Sequence, residues 1–277
     1  MKLKIFYNTS NLSLILMILS GAVAHALSFH ANLGSIKVTV DPGQSVSTHF
    51  RLTLTSDQPA TEFHLRTQDF YRSEDGVQSF YKSPGTLAHS CATWLAINPV
   101  DTTVQSGGAL DARLTINVPT DVKPGGYWCV LTVDELPNPL SVTPQGVGMK
   151  FLTSISVGVF VSVEPITKSA RIEGLEFGHG SATVTLGNTG DCPFSATGHI
   201  DFLQQGAEVP VATVDLPKAA VFCEPIPTAL ITAPLPDPKT LPDGTYTARV
   251  VLDIGLDHYI GAQKTMVLSR THASPTP

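Results

Sequence analysis

The stretch Pro124-Gly125-Gly126-Tyr127-Trp128-Cys129-Val130-Leu131-Thr132-Val133 constrains this chain most. Proline pre-sets φ for entry to a tight turn, and glycine supplies the φ > 0 that the turn needs. A tyrosine follows, and then an alternating strand. The same plan recurs at Pro242-Asp243-Gly244-Thr245-Tyr246-Thr247-Ala248-Arg249-Val250-Val251-Leu252. A tyrosine placed so packs its ring into a sandwich core and bonds upstream backbone through its hydroxyl. Two copies of the plan predict two β-sandwiches in series. Helices have little place here: charged residues make up 14% of the chain, against 22 Gly and 21 Pro. Low charge with many turn formers suits an all-β fold.

The rest of the chain repeats the pattern. Ile36, Val38 and Val40 alternate up to the turn Asp41-Pro42-Gly43, and Val46, Phe50, Leu52 and Leu54 alternate with polar neighbours. Period two with polar partners marks a half-buried strand. Further short strands are expected at Phe63–Leu65, Trp94–Pro99, Leu114–Pro119 and Tyr127–Val133, separated by turn signals such as Ser83-Pro84-Gly85. Pro137 to Gly148 reads as a loop. Ile155, Val157, Val159, Val161 and Val163 then form the longest regular alternation in the chain, ending at Glu164-Pro165. Beyond it, strands are expected at Ala182–Leu186, Ile200–Phe202, Val209–Val214, Ala229–Ile231 and Tyr246–Ile254, with a last one ending at Leu268. The expected organisation is a first sandwich over 27–165, a second over 166–270 and a disordered tail over 271–277.

Residues 1–26 read as a secretory signal peptide. The start is basic (Lys2, Lys4), Leu12 to Leu19 is a short apolar run, and Ala24-His25-Ala26 is a small-residue cleavage site. The apolar run is short for a bilayer span, and no later segment has the ~20 apolar residues of one, so the mature chain is expected not to span a membrane. Losing Lys2 and Lys4 takes the formal charge from −6 to −8, with the acids scattered. That balance argues against nucleic acid and anionic membrane surfaces as partners. Four cysteines follow the leader: Cys91, Cys129, Cys192 and Cys223. An even count in an oxidising compartment suggests disulfides. Three pairings are open. The simplest, Cys91–Cys129 with Cys192–Cys223, keeps one bridge in each sandwich, each contributing roughly 3–4 kcal/mol in the loop-entropy account. Without a C-x-x-C spacing, a four-thiolate metal site is the lesser reading.

The order Trp94-x-x-Ile97-x-Pro99, then Ile116-x-Val118-Pro119-x-Asp121-x-x-Pro124-Gly125-x-Tyr127, then a long Val-rich strand, resembles exported bacterial proteins with two immunoglobulin-like domains. Asn188-Thr189-Gly190 and Leu252-Asp253-Ile254-Gly255 are similar to that family too. It includes the WxL-interacting surface proteins and, more distantly, the periplasmic chaperones of pilus assembly. The resemblance implies tandem immunoglobulin-like sandwiches over nearly all the mature chain. Pilus chaperones hold a partner's C-terminal carboxylate with a basic pair in the domain cleft. The resemblance carries that role onto Lys37 and Lys150.

Signs of chemistry are few, and no catalytic residue, metal ligand or cofactor is expected. No H-E-x-x-H, G-x-S-x-G or phosphate-cradling loop occurs. Ser79-Phe80-Tyr81-Lys82 spells S-x-x-K, but that motif needs a helix and this segment lies between turns. His49 and His64 sit at outward strand positions. Asp253, Asp257 and His258 surround a turn, where Asp commonly bonds its own backbone. Two features suit binding. The strand carrying Ile155, Val157, Val159 and Val161 can add to a partner's sheet through its main chain, with alternate side chains filling partner pockets; the competing reading turns those residues into their own core. Trp94 and Trp128 lie opposite Cys91 and Cys129 on ideal strands, so a cysteine-lined core would turn both outward as a contact patch; the competing reading buries them. The expected protein is non-enzymatic, exported to a periplasm or cell surface, and binds other envelope or surface proteins as a structural module. The alternative is a periplasmic chaperone capping pilin-like subunits by strand donation.

Overall fold

The computed structural model describes residues 29–32, 34–137, 152–178 and 180–269. The expected leader, Lys150 and the tail over 271–277 lie outside the described residues. The first sandwich contains β1 (Phe29–Ala31), β2 (Ser35–Thr39), β3 (Ser45–Leu54), β4 (Thr61–Gln68), β5 (Phe70–Arg72), β6 (Gln78–Phe80), β7 (Leu95–Asn98), β8 (Asp101–Val104), β9 (Ala109–Asn117), β10 (Gly125–Glu135) and β11 (Ser154–Val163). One sheet runs β1-β3-β9-β7 and the other β2-β11-β10-β4-β8. The first segment of chain serves both: β1 pairs with β3, and β2 then runs parallel to β11 in the opposite sheet.

The alternation read from the sequence is the burial pattern. Along β9, Leu110, Ala112, Leu114 and Ile116 are buried while their neighbours face outward. Phe50, Leu52 and Leu54 of β3 meet Phe63 and Leu65 of β4 across the core. Strand β10 differs, being buried from Gly125 through Val133 on both faces. Tyr127, Cys129, Leu131 and Val133 point into the first core, whereas Trp128 and Val130 join a separate cluster with Phe70, Leu87 and Phe222.

The second sandwich contains β12 (Ala170–Gly178), β13 (Ser181–Asn188), β14 (Phe194–Gln204), β15 (Ala212–Val221), β16 (Thr228–Pro234), β17 (Gly244–Asp253) and β18 (Ile260–Leu268). Its sheets run β12-β13-β16 and β15-β14-β17-β18. Its own core holds Val184, Leu186, Ile200, Phe202, Val250 and Leu252 among others. Both tyrosine corners form: Tyr127 Oη donates to Lys123 O and Tyr246 Oη to Pro242 O, each at 2.9 Å. The chain is two tandem immunoglobulin-like β-sandwiches. Among the described residues no helix is long and apolar enough to cross a membrane.

Candidate functional site

The two sandwiches meet along β10. Gly126 N–H donates to Asp191 O at 2.9 Å. A Cβ at Gly126 would stand 2.6 Å from Cys192 Cβ and 2.8 Å from its Cα, so only glycine admits this approach of two backbones. Beside it Phe222, just beyond β15, packs on Trp128 and Phe70 with ring centroids 5.1 and 5.4 Å apart. Trp128 Nε1 donates to Phe70 O at 2.9 Å, which satisfies the one polar atom of a fully buried indole. His89 stacks on the Trp128 ring, and its backbone N–H donates to Glu224 Oε1 at 2.6 Å.

Above this contact lies a cleft of about 340 Å³. The first sandwich lines it with Lys37 of β2 and Phe160 of β11, which are register partners. The second lines it with Lys168, on the connection to β12, and with Phe194 and Phe222. Lys37 is exposed, and its side chain makes no hydrogen bond or ion pair among the described residues. Lys168 Nζ donates to Gly255 O at 3.1 Å and keeps donors to spare. Two ammonium groups from different domains over an aromatic floor suit an anion attached to an apolar body, and a peptide's terminal carboxylate is one. Burial, with Asp191 adding to it, lifts the Tyr127 phenol above its ordinary value. Burial does the same to Cys192, with Asp191 again adding and Lys168 opposing. Both groups are therefore neutral near pH 7, and Lys37 and Lys168 carry the cleft's positive charge.

Several sequence expectations change. Lys37 and Lys168 both line the cleft, while Lys150 lies outside the described residues. No motif marked Lys168. Its one signal is a cation just past the Glu164-Pro165 break between sandwiches. Phe160 and Phe222 were missed because their role depends on the domain contact. Val157, Val159 and Val161 are buried in their own core, and Ile155 packs partly against it, so these side chains do not form a contact face. Parity is the reason: the outward positions of β11 are Ser154, Ser156, Gly158, Phe160 and Ser162. Trp128 does lie opposite the cysteine face, but the other domain covers it. Trp94 sits in a 3-10 turn (Ala92–Trp94) and packs on Tyr127 at 4.6 Å, so it makes no patch either.

The expected disulfides are not formed in this structure, where all four cysteines are unbonded. Cys91 and Cys129 are spatial neighbours, with sulfurs 3.0 Å apart, beyond the ~2.05 Å of a bond. Burial raises the Cys91 thiol well above its ordinary value, and burial followed by Glu224 pushes Cys223 up to about 12. Thiols held so are poor nucleophiles. Among the described residues no three His, Cys, Asp or Glu side chains gather as metal ligands. Asp253 Oδ1 accepts from Gly255 N–H, the turn role its position suggested.

The main-chain edge of β11 remains. Strand β10 pairs with it from Ser154 through Val163, but β2 pairs only from Gly158 through Ser162. Among the described residues, 154–157 have no neighbour on that side. Leu152, just before them, is 49% exposed.

No family model and no curated protein matches the sequence. Solved structures do. One is from a chaperone–tip adhesin complex of CFA/I fimbriae biogenesis, at a TM-score of 0.51 and 11% identity, covering 87% of this chain and 100% of that one. Another is the class 5 fimbriae chaperone CfaA, at a TM-score of 0.50 and 10% identity, covering 86% and 99%. At 10–11% identity both likenesses to fimbrial-chaperone structures show the fold, and nothing in them supports the likeness to WxL-interacting proteins.

Proposed function

We propose that this chain is an exported chaperone of the fimbrial type, which caps an incomplete subunit by lending it a strand edge. One observation carries the reading. Strand β11 presents an unpaired main-chain edge at 154–157, and its other end, at Phe160, walls the cleft that holds Lys37 and Lys168. A subunit's terminal carboxylate would sit on the two lysines, and the preceding residues would run along β11 as an added strand. Main-chain bonds would supply affinity. Leu152, and not Val157 to Val161, would supply the apolar contact. The likeness to a chaperone solved with a tip adhesin supports the same reading. The role is binding, and no residue is assigned a catalytic part.

The test is purification of the tagged exported chain from the envelope compartment. The reading expects one small, β-rich subunit in about equal amount, lost in Lys37→Glu and in Lys168→Glu while the variants remain folded. Recovery of the chain alone, or of an unchanged set of proteins with both variants, would overturn it.

A further inference from the structure

The hairpin of β5 and β6 belongs to the first sandwich, but its tip rests on the second. Glu74 O accepts from Leu230 N–H at 2.7 Å, and Glu74 Oε1 accepts from Thr228 Oγ1 at 2.7 Å. Both partners lie on β16, an edge strand whose ladder runs to β13 on the other side. The hairpin is rooted in the buried cluster at Phe70, which also accepts the Trp128 indole N–H. Its tip is held in shape from within: Ser73 bonds Asp75, Arg72 donates to Gly76 O, and Gly76 has φ +86°. It is a braced arm anchored in one domain and bonded to the other.

Other interdomain contacts run from β10, and from Phe70 at the hairpin's root, to the loops of the second sandwich. Gly126 on Asp191, Trp128 on Phe222 and His89 on Glu224 form one continuous seam. Contacts gathered along one seam fix position but leave rotation about it soft. Bonds at the hairpin's tip fall on β16, not on the loops that carry Asp191, Phe222 and Glu224, and restrain that rotation. We infer that residues 73–76 are a strut that fixes the angle between the sandwiches, and with it the distance between Lys37 and Lys168. Glu74 is thereby a positioning residue for the cleft. The consequence for binding rests on the chaperone reading; the fixed angle does not.

Two changes each remove one of the strut's two bonds without touching the cleft, and the triple variant that combines them removes both. Leu230→Pro deletes the N–H that Glu74 O accepts, on an edge strand where that N–H faces away from the ladder and proline is tolerated. Glu74→Ala with Thr228→Val deletes the side-chain bond, and it decides the matter if the proline disturbs folding. Residual dipolar couplings of the exported chain, residues 27–277, report each domain's orientation. One alignment tensor should fit both domains of the parent, and separate tensors should be needed in the triple variant. A shared tensor in the folded triple variant, or no change in interdomain order on losing either bond, overturns the strut. The second readout uses a synthetic apolar peptide with a free C-terminal carboxylate, and its amidated form as control. The parent should prefer the acid form, and the strut variants should bind it about three- to ten-fold more weakly, the range set by one or two modest hydrogen bonds. Lys37→Glu should lose the preference while keeping a shared tensor. A parent that shows no preference defeats the chaperone reading, and the tensors still decide the strut.

Discussion

Gly126 is where one atom decides how two domains meet. Its position after Pro124 and Gly125 marks a turn, and that much is readable locally. The second requirement, a backbone within reach of Cys192, is set by a residue far along the chain and leaves no local mark. Gly126→Ala should cost about 1–3 kcal/mol, the range for forcing atoms into a filled space. At about 2–4 °C per kcal/mol for a chain of this size, calorimetry should show a clear fall in melting temperature. An unchanged melting curve would mean that the two backbones part easily and that the contact does not hold the domains. Trp128 teaches the same lesson. Alternation placed it opposite Tyr127 and Cys129, correctly, yet part of what buries it is Phe222 of the other sandwich. Parity says which side of a sheet a residue takes; it does not say what covers that side.

The same ambiguity governs β11 as an element. A strand with one buried face looks alike in sequence whether the valines serve their own core or a partner's. The structure separates the roles, which allows opposed predictions. Val159→Ala should cost about 2 kcal/mol of stability through the cavity it leaves in the first core. Ser156→Lys, on the outward face beside the unpaired edge, should change stability by less than about 0.5 kcal/mol. It should nevertheless abolish subunit capture, because an edge lysine blocks strand addition. Capture that survives Ser156→Lys would move the binding edge elsewhere. Elements with clean alternation and turn residues were legible: β3, β9, β10, β11, β13 and β17. The β5–β6 hairpin and β12 were not, since short or half-buried strands carry no strong period. In the sheet of β14, β15 and β17, Asp201 pairs directly across to Thr213 and Arg249. Burial raises its carboxyl, but bonds from Arg249 and Thr213 and the nearby His199 together outweigh that and hold it below its ordinary value. A folded value below the unfolded one stabilises at neutral pH, and that contribution fades as pH falls below about 4 through the folded value. Asp201→Asn should therefore lose about 1 kcal/mol at pH 7, a modest figure because Arg249 is half exposed. Urea melts should show the loss shrinking as pH falls below about 4; a loss that does not shrink at all would point to packing instead.

For the whole molecule, the contact between the sandwiches decides whether it acts as one body or two. Each sandwich has its own core, and Phe222 belongs to neither. It fills a third cluster with Trp128, Phe70, Leu87 and Val130, so it contributes to coupling more than to either domain. Truncation of a buried phenylalanine costs about 3–5 kcal/mol where it sits in a core. Here that cost should fall on the coupling between domains. The parent should melt in a single transition, because opening the seam exposes Trp128 and strips both partners of buried surface. Phe222→Ala should split the melt into two transitions. Trp128 emission should shift to the red in the first, while the far-ultraviolet signal of the more stable sandwich persists to the second. Trp94, packed on Tyr127 inside the first sandwich, should report only that domain's unfolding, and a Trp94→Phe background isolates the seam signal. A single coincident transition in Phe222→Ala would show that the Gly126 contact and the Glu74 strut hold the domains together without the aromatic seam. The cleft would then keep its width even when its floor is cut away.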